Sequence, residues 1–105
     1  MTPRQLLARA RAIIMERGWT QWAYYRRNEG FCLTGALWSA AGVSDESLVN
    51  GITHVEDPTA FKTARAELRE VTGSLLVAWN DTPGRTRDEV VAALAAAEAL
   101  CLEEP

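Results

Sequence analysis

Apolar residues return every three or four positions in three stretches of the chain, and the polar residues around them mark where each stretch starts and stops. Leu6, Leu7, Ala10, Ile13 and Ile14 make the first stripe, the spacing of one buried helical face. Thr2 with Gln5 forms a capping box, Pro3 suits the first turn and Gly18 suits the end, so residues 3–17 are expected to be helical. Phe61, Ala64, Leu68 and Val71 make the second stripe, capped by Asp57, opened by Pro58 and closed by Thr72 and Gly73. Val90, Val91, Leu94, Ala97 and Cys101 make the third. There Thr86 and Glu89 form another capping box, and Asp88 and Glu89 sit where the helix dipole is positive.

The connecting segments carry weaker signals. Residues 32–41 read as a further helix ending at Gly42. Glycine inside a helix costs about 1 kcal/mol against alanine, so Gly35 is expected to admit another backbone or an indole, with Trp79 as the indole in question. Ser44, Asp45 and Glu46 start a short helical turn that Asn50 and Gly51 close. Residues 75–79 are too short a run to assign to strand or helix by period alone. Residues 80–84, Asn-Asp-Thr-Pro-Gly, make a strong turn. From Trp19 to Phe31 the helical period is lost and Trp19, Trp22, Tyr24 and Tyr25 crowd together. With a turn at Asn28, Glu29 and Gly30, residues 22–26 and 31–33 are expected to pair as a short irregular hairpin. The pattern predicts a mainly α single domain over residues 1–105. Its form is a compact bundle of three long helices plus a short one, with the aromatic loop or hairpin between the first two helices.

Size and composition narrow the class. A chain of 105 residues and 11.6 kDa has room for one core. Its 48% apolar and 24% charged residues exclude a disordered or fibrous chain. No apolar run approaches the roughly 20 residues a membrane helix needs, and Met1 leads directly into the first helix. The expected setting is therefore cytoplasmic, with no membrane partner. Cys32 and Cys101 are expected to be reduced thiols there. With His54 the single histidine, neither a metal nor a cofactor is expected. Net charge is uneven: residues 1–27 hold six arginines and one acid, net +5, whereas residues 28–105 hold five basic and thirteen acidic residues, net −8. Either the two parts complement each other within a monomer or across a dimer, or the basic face meets an acidic partner.

Three blocks also resemble a known family: Gly18-Trp19-Thr20-Gln21, then Cys32-Leu33-Thr34-Gly35-Ala36-Leu37, then Trp79-Asn80-Asp81-Thr82-Pro83-Gly84-Arg85-Thr86. Their order and spacing are similar to domain of unknown function 6197, small uncharacterised proteins of actinobacteria and their phages. The resemblance spans nearly the whole chain apart from residues 43–73 and implies a fold and a phage or prophage setting, with no reaction attached.

Three places could carry chemistry. Cys32 precedes a helix, where unpaired amides and the dipole can lower a thiol pKa, and His54 and Asn80 follow it in the order used by thiol hydrolases. The plainer role is a small buried apolar residue. Asn80, Asp81 and Arg85 could bind a small polar ligand on their turn, or could hold that turn together, with Asn80 bonding its own loop and Asp81 paired with Arg85 or Arg87. Trp22, Tyr24, Tyr25, Arg26 and Arg27 are residue types enriched at protein interfaces. Four large rings within seven residues exceed what one short loop can bury, so the main expectation is a protein-binding adaptor or modulator that contacts another protein or a second copy of itself through these five residues. A thiol hydrolase is the alternative. A single-stranded nucleic-acid binder stacking bases on the same rings comes third, because a chain of pI near 5.1 lacks a broad basic stripe.

Overall fold

The computed structural model describes residues 1–101. Six helices and one two-stranded antiparallel hairpin follow in the order α1 (Pro3–Arg17), β1 (Tyr25–Arg26), β2 (Gly30–Phe31), α2 (Leu33–Ala40), α3 (Asp45–Val49), α4 (Thr59–Thr72), α5 (Leu76–Asn80) and α6 (Arg87–Leu100) among the described residues. The three striped segments become the long helices α1, α4 and α6. Both capping boxes form: Thr2 accepts from the Gln5 N–H and Thr86 from the Glu89 N–H, each at 3.2 Å, and both carboxamide and carboxylate reach back to the cap. At α4 the expected cap is displaced by one residue. Pro58 occupies the cap position without a side-chain bond, and the Asp57 carboxylate accepts from the Thr59 N–H at 3.1 Å.

α1 packs on α6 and α2, and α4 closes against α6 and α1. Leu7, Ile14, Phe31, Leu33, Leu37, Phe61, Leu68 and Leu94 are fully buried between them, at about 1.5–3 kcal/mol of transfer free energy for each side chain. Trp38 of α2 stacks on Phe61 of α4 with centroids 3.7 Å apart. Across this frame the uneven charge is partly neutralised from within: Arg11 of α1 bonds Glu98 of α6 at 2.9 Å, and Arg17 bonds Asp45 of α3 at 2.6 Å.

The count of helices differs from the expected three long and one short. The apolar run 75–79 contributes to α5, five residues long like α3, while α2 has eight. α5 turns Leu76 and Asn80, one helical turn apart, into the core and leaves Val77 outside. The hairpin is also tighter than expected. Tyr25 pairs with Phe31 and Arg26 with Gly30, and Cys32 and Leu33 already belong to the start of α2. Phe31 makes a further bridge to Trp19, its N–H donating to Gly18 O at 3.1 Å and its carbonyl accepting from Thr20 N at 3.0 Å. Gly18 and Gly30 lie so close that a Cβ on either would overlap the backbone next to the other. The loop therefore folds back against the end of α1.

Candidate functional site

Asn80 anchors the aromatic loop. It is fully buried, and its side-chain amide uses both of its ends. Oδ1 accepts from the Trp19 indole N–H at 2.7 Å and the Leu33 N–H at 3.0 Å, while Nδ2 donates to Thr20 O at 3.1 Å and to Asp81 Oδ1 at 3.0 Å. Gln21 adds a strap, donating to the carbonyls of Asn80 and Thr82 at 3.0 and 3.1 Å. The turn was expected to bond within itself. Instead α5 uses Asn80 to hold a loop some 60 residues away, because a buried amide must place all of its donors and acceptors.

Asp81 is likewise redirected. Rather than pairing with Arg85 or Arg87, its Oδ1 accepts from the Trp22 backbone N–H at 2.9 Å. Arg85 donates to Trp79 O at 2.9 Å and to Glu89 at 3.0 Å and lies over the Trp79 ring, 4.0 Å from its centroid. Arg87 reaches Met15 O at 3.1 Å. The neighbour that requires glycine at position 35 is a backbone and not the Trp79 indole, since a Cβ there would overlap the Tyr24 carbonyl.

Held in this way, residues 22–25 line a cleft of about 350 Å³ together with the end of α3 and the outer face of α5. Trp22, Tyr24, Tyr25, Val49, Val77 and Asp81 line it, and the buried Cys32 borders it too. The volume is in the range of small-molecule and side-chain pockets. Trp22 is 64%, Val49 62% and Val77 48% exposed, an apolar surface facing solvent. Trp22 also has a φ of 70°, a left-handed conformation that bulky residues avoid at a cost of about 1–3 kcal/mol. Its bond to Asp81 holds it there.

Of the five residues expected to meet a partner, Trp22, Tyr24 and Tyr25 line the cleft, whereas Arg26, at the end of β1, and Arg27, in the hairpin turn, are exposed and do not line it. Tyr25 is also structural: its ring lies 4.7 Å from that of Phe31, and Arg17 spans both rings on its way to Asp45. Asp81 and Val77 were not expected to face a site with these rings, and Val49 comes from a segment without pattern. The i,i+4 pairing of Leu76 with Asn80 was the one available signal, since it turns Val77 outward.

The thiol of Cys32 caps α2, its Sγ accepting from the Gly35 N–H at 3.2 Å. Burial outweighs the helix amides and pushes its pKa up to about 11. His54 is exposed in the loop between α3 and α4. Asn80 directs its side chain to the aromatic loop and to Leu33, and the Cys32 sulfur accepts from the Gly35 N–H. Among the described residues no helix is long and apolar enough to cross a membrane.

Fold and site together define a small helical domain that displays an apolar, ring-lined cleft on a buried polar anchor. The chain belongs to the family of unknown function DUF6197, whose model matches residues 1–100. No curated protein and no solved structure matches it.

Proposed function

We propose that this protein is a small adaptor or modulator that acts by binding another protein, with the cleft between the aromatic loop, α3 and α5 as its contact surface. The observation that carries this reading is Trp22. A tryptophan held in a left-handed conformation by its hydrogen bond to Asp81 leaves 64% of its surface exposed, so burial of the ring does little to offset the backbone strain. Such a ring among the exposed apolar residues of a cleft has the character of an interface hot spot. A cytoplasmic setting, a phage or prophage origin and a host protein as target belong to the same proposal.

The test is capture from a host lysate with the full chain, beside the sedimentation mass of the purified protein. A partner retained by the wild type and by Cys32→Ser but released by Trp22→Gly supports the reading, as does a dimer that Trp22→Gly dissociates. Serine keeps the α2 cap, so a function lost in Cys32→Ser instead indicates the thiol. A monomer whose captured proteins are unchanged by Trp22→Gly overturns the proposal.

A further inference from the structure

We infer that the cleft takes a lysine or arginine side chain of the partner polypeptide, flanked by apolar residues, with the cationic head on Asp81 and the alkyl stem against Trp22 and Tyr24. This rests on the protein-binding reading and names the chemistry the partner must present. Among the described residues Asp81 is the one charged side chain lining the cavity, and no cation lies within ion-pair distance of it. Its hydrogen bonds among the described residues, from Trp22 N at 2.9 Å and Asn80 Nδ2 at 3.0 Å, both fall on Oδ1. Among the described residues no hydrogen bond reaches Oδ2, which leaves that oxygen for a donor from outside. These bonds also fix the carboxylate in place, so little freedom remains to be lost on binding.

A half-buried carboxylate selects among occupants. An acidic segment meets like charge, and a wholly apolar one strips water from Asp81 without replacing it. An ammonium or guanidinium replaces that water with a charge-assisted bond, while aromatic walls attract the cation and the methylenes beneath it. A free amine satisfies Asp81 but leaves the apolar shoulders of Trp22, Val49 and Val77, each about half exposed or more, in water. A polypeptide carrying apolar residues on both sides of the cation covers them.

The probes are the peptide Ac-Ala-Leu-Lys-Leu-Ala-NH2, its norleucine and glutamate replacements at the central position, and n-butylammonium. Each is titrated into the full chain and followed through the Trp22 indole N–H resonance. The lysine peptide is expected to bind about two- to fivefold more tightly than the norleucine peptide, the worth of a partly exposed ion pair. The glutamate peptide is expected to bind weakest. Asp81→Asn keeps an oxygen to accept from Trp22 N and Asn80 Nδ2, and is expected to bring the lysine and norleucine peptides level. Equal binding of those two to the wild type overturns the cation and leaves apolar docking standing. A lysine preference that survives Asp81→Asn overturns the role of Asp81. Butylammonium binding as tightly as the lysine peptide makes a free amine the occupant, and no response to any peptide at millimolar concentration overturns the site. Should Asp81→Asn disturb the fold, the wild-type comparison of lysine with norleucine decides alone.

Discussion

At the scale of single residues, two buried polar groups near the cleft behave in opposite ways. Asn80 is satisfied on every side, so removing it leaves the Trp19 indole N–H and the Leu33 N–H without acceptors in a dry site. Asn80→Ala is expected to cost about 3–5 kcal/mol in chemical denaturation. Asn80→Asp should cost less but still destabilise, because it keeps the acceptor, loses the donor to Thr20 O and sets a second carboxylate beside Asp81. Cys32 is protonated in the folded chain up to about pH 11, against an ordinary value near 9. Its pKa is raised on folding, so the stability linked to it is complete below pH 9. It is lost as pH rises from 9 toward 11, where the unfolded chain releases the proton and the native chain retains it. The wild type is therefore expected to lose about 2–3 kcal/mol more than Cys32→Ser across that interval, measured as the difference between their denaturation curves at matched pH. A flat difference would mean that the thiol titrates freely.

Among the elements, what the sequence announced locally appears in the structure, whereas what depends on distant contacts could not be read from the sequence. α1, α4 and α6 each carry an apolar stripe and a terminus signal within one turn of their ends, and these signals need no partner to be read. α5 has neither a capping side chain nor a long stripe, and its helical form depends on burying Leu76 and Asn80. The hairpin register depends on Gly18 and Gly30 pressing together, and the cleft on Tyr24 lying across Gly35, contacts between positions with no shared periodicity. Of the four rings expected to exceed what the loop can bury, Trp22 is the one that stands mostly exposed, while Trp19, Tyr24 and Tyr25 pack partly against the core; the acid and the valines that complete the cleft were not legible, since the sequence around Asp81 announces only a turn. Gly35→Ala tests how tightly hairpin and α2 are joined. Alanine favours a helix by about 1 kcal/mol, but its Cβ would overlap the Tyr24 carbonyl, which is backbone and cannot rotate aside. The variant is expected to lose about 1–3 kcal/mol net and to shift the amide resonances of residues 22–25. A gain in stability would show that the loop rides loosely on the helix.

For the molecule as a whole, the core and the cleft make separate demands on the chain. The helices bury their own stripes and pair Arg11 with Glu98 and Arg17 with Asp45, so the globule is complete without the outer ring of Trp22. That ring adds exposed apolar surface and a left-handed backbone, both costs to the isolated protein. Trp22→Gly removes the strain, since glycine accepts a positive φ freely, and keeps the N–H that Asp81 holds. Against this stand the lost contacts of a mostly exposed ring and the added freedom of glycine in the unfolded chain. The two sides nearly balance. The variant is expected to stay within about 1 kcal/mol of the wild type in denaturant midpoint analysis while losing the binding proposed for the cleft. Retained stability with lost binding is the signature of a residue kept for function at the expense of the fold. A loss of several kcal/mol on this substitution would instead make Trp22 part of the scaffold, and the cleft a by-product of packing.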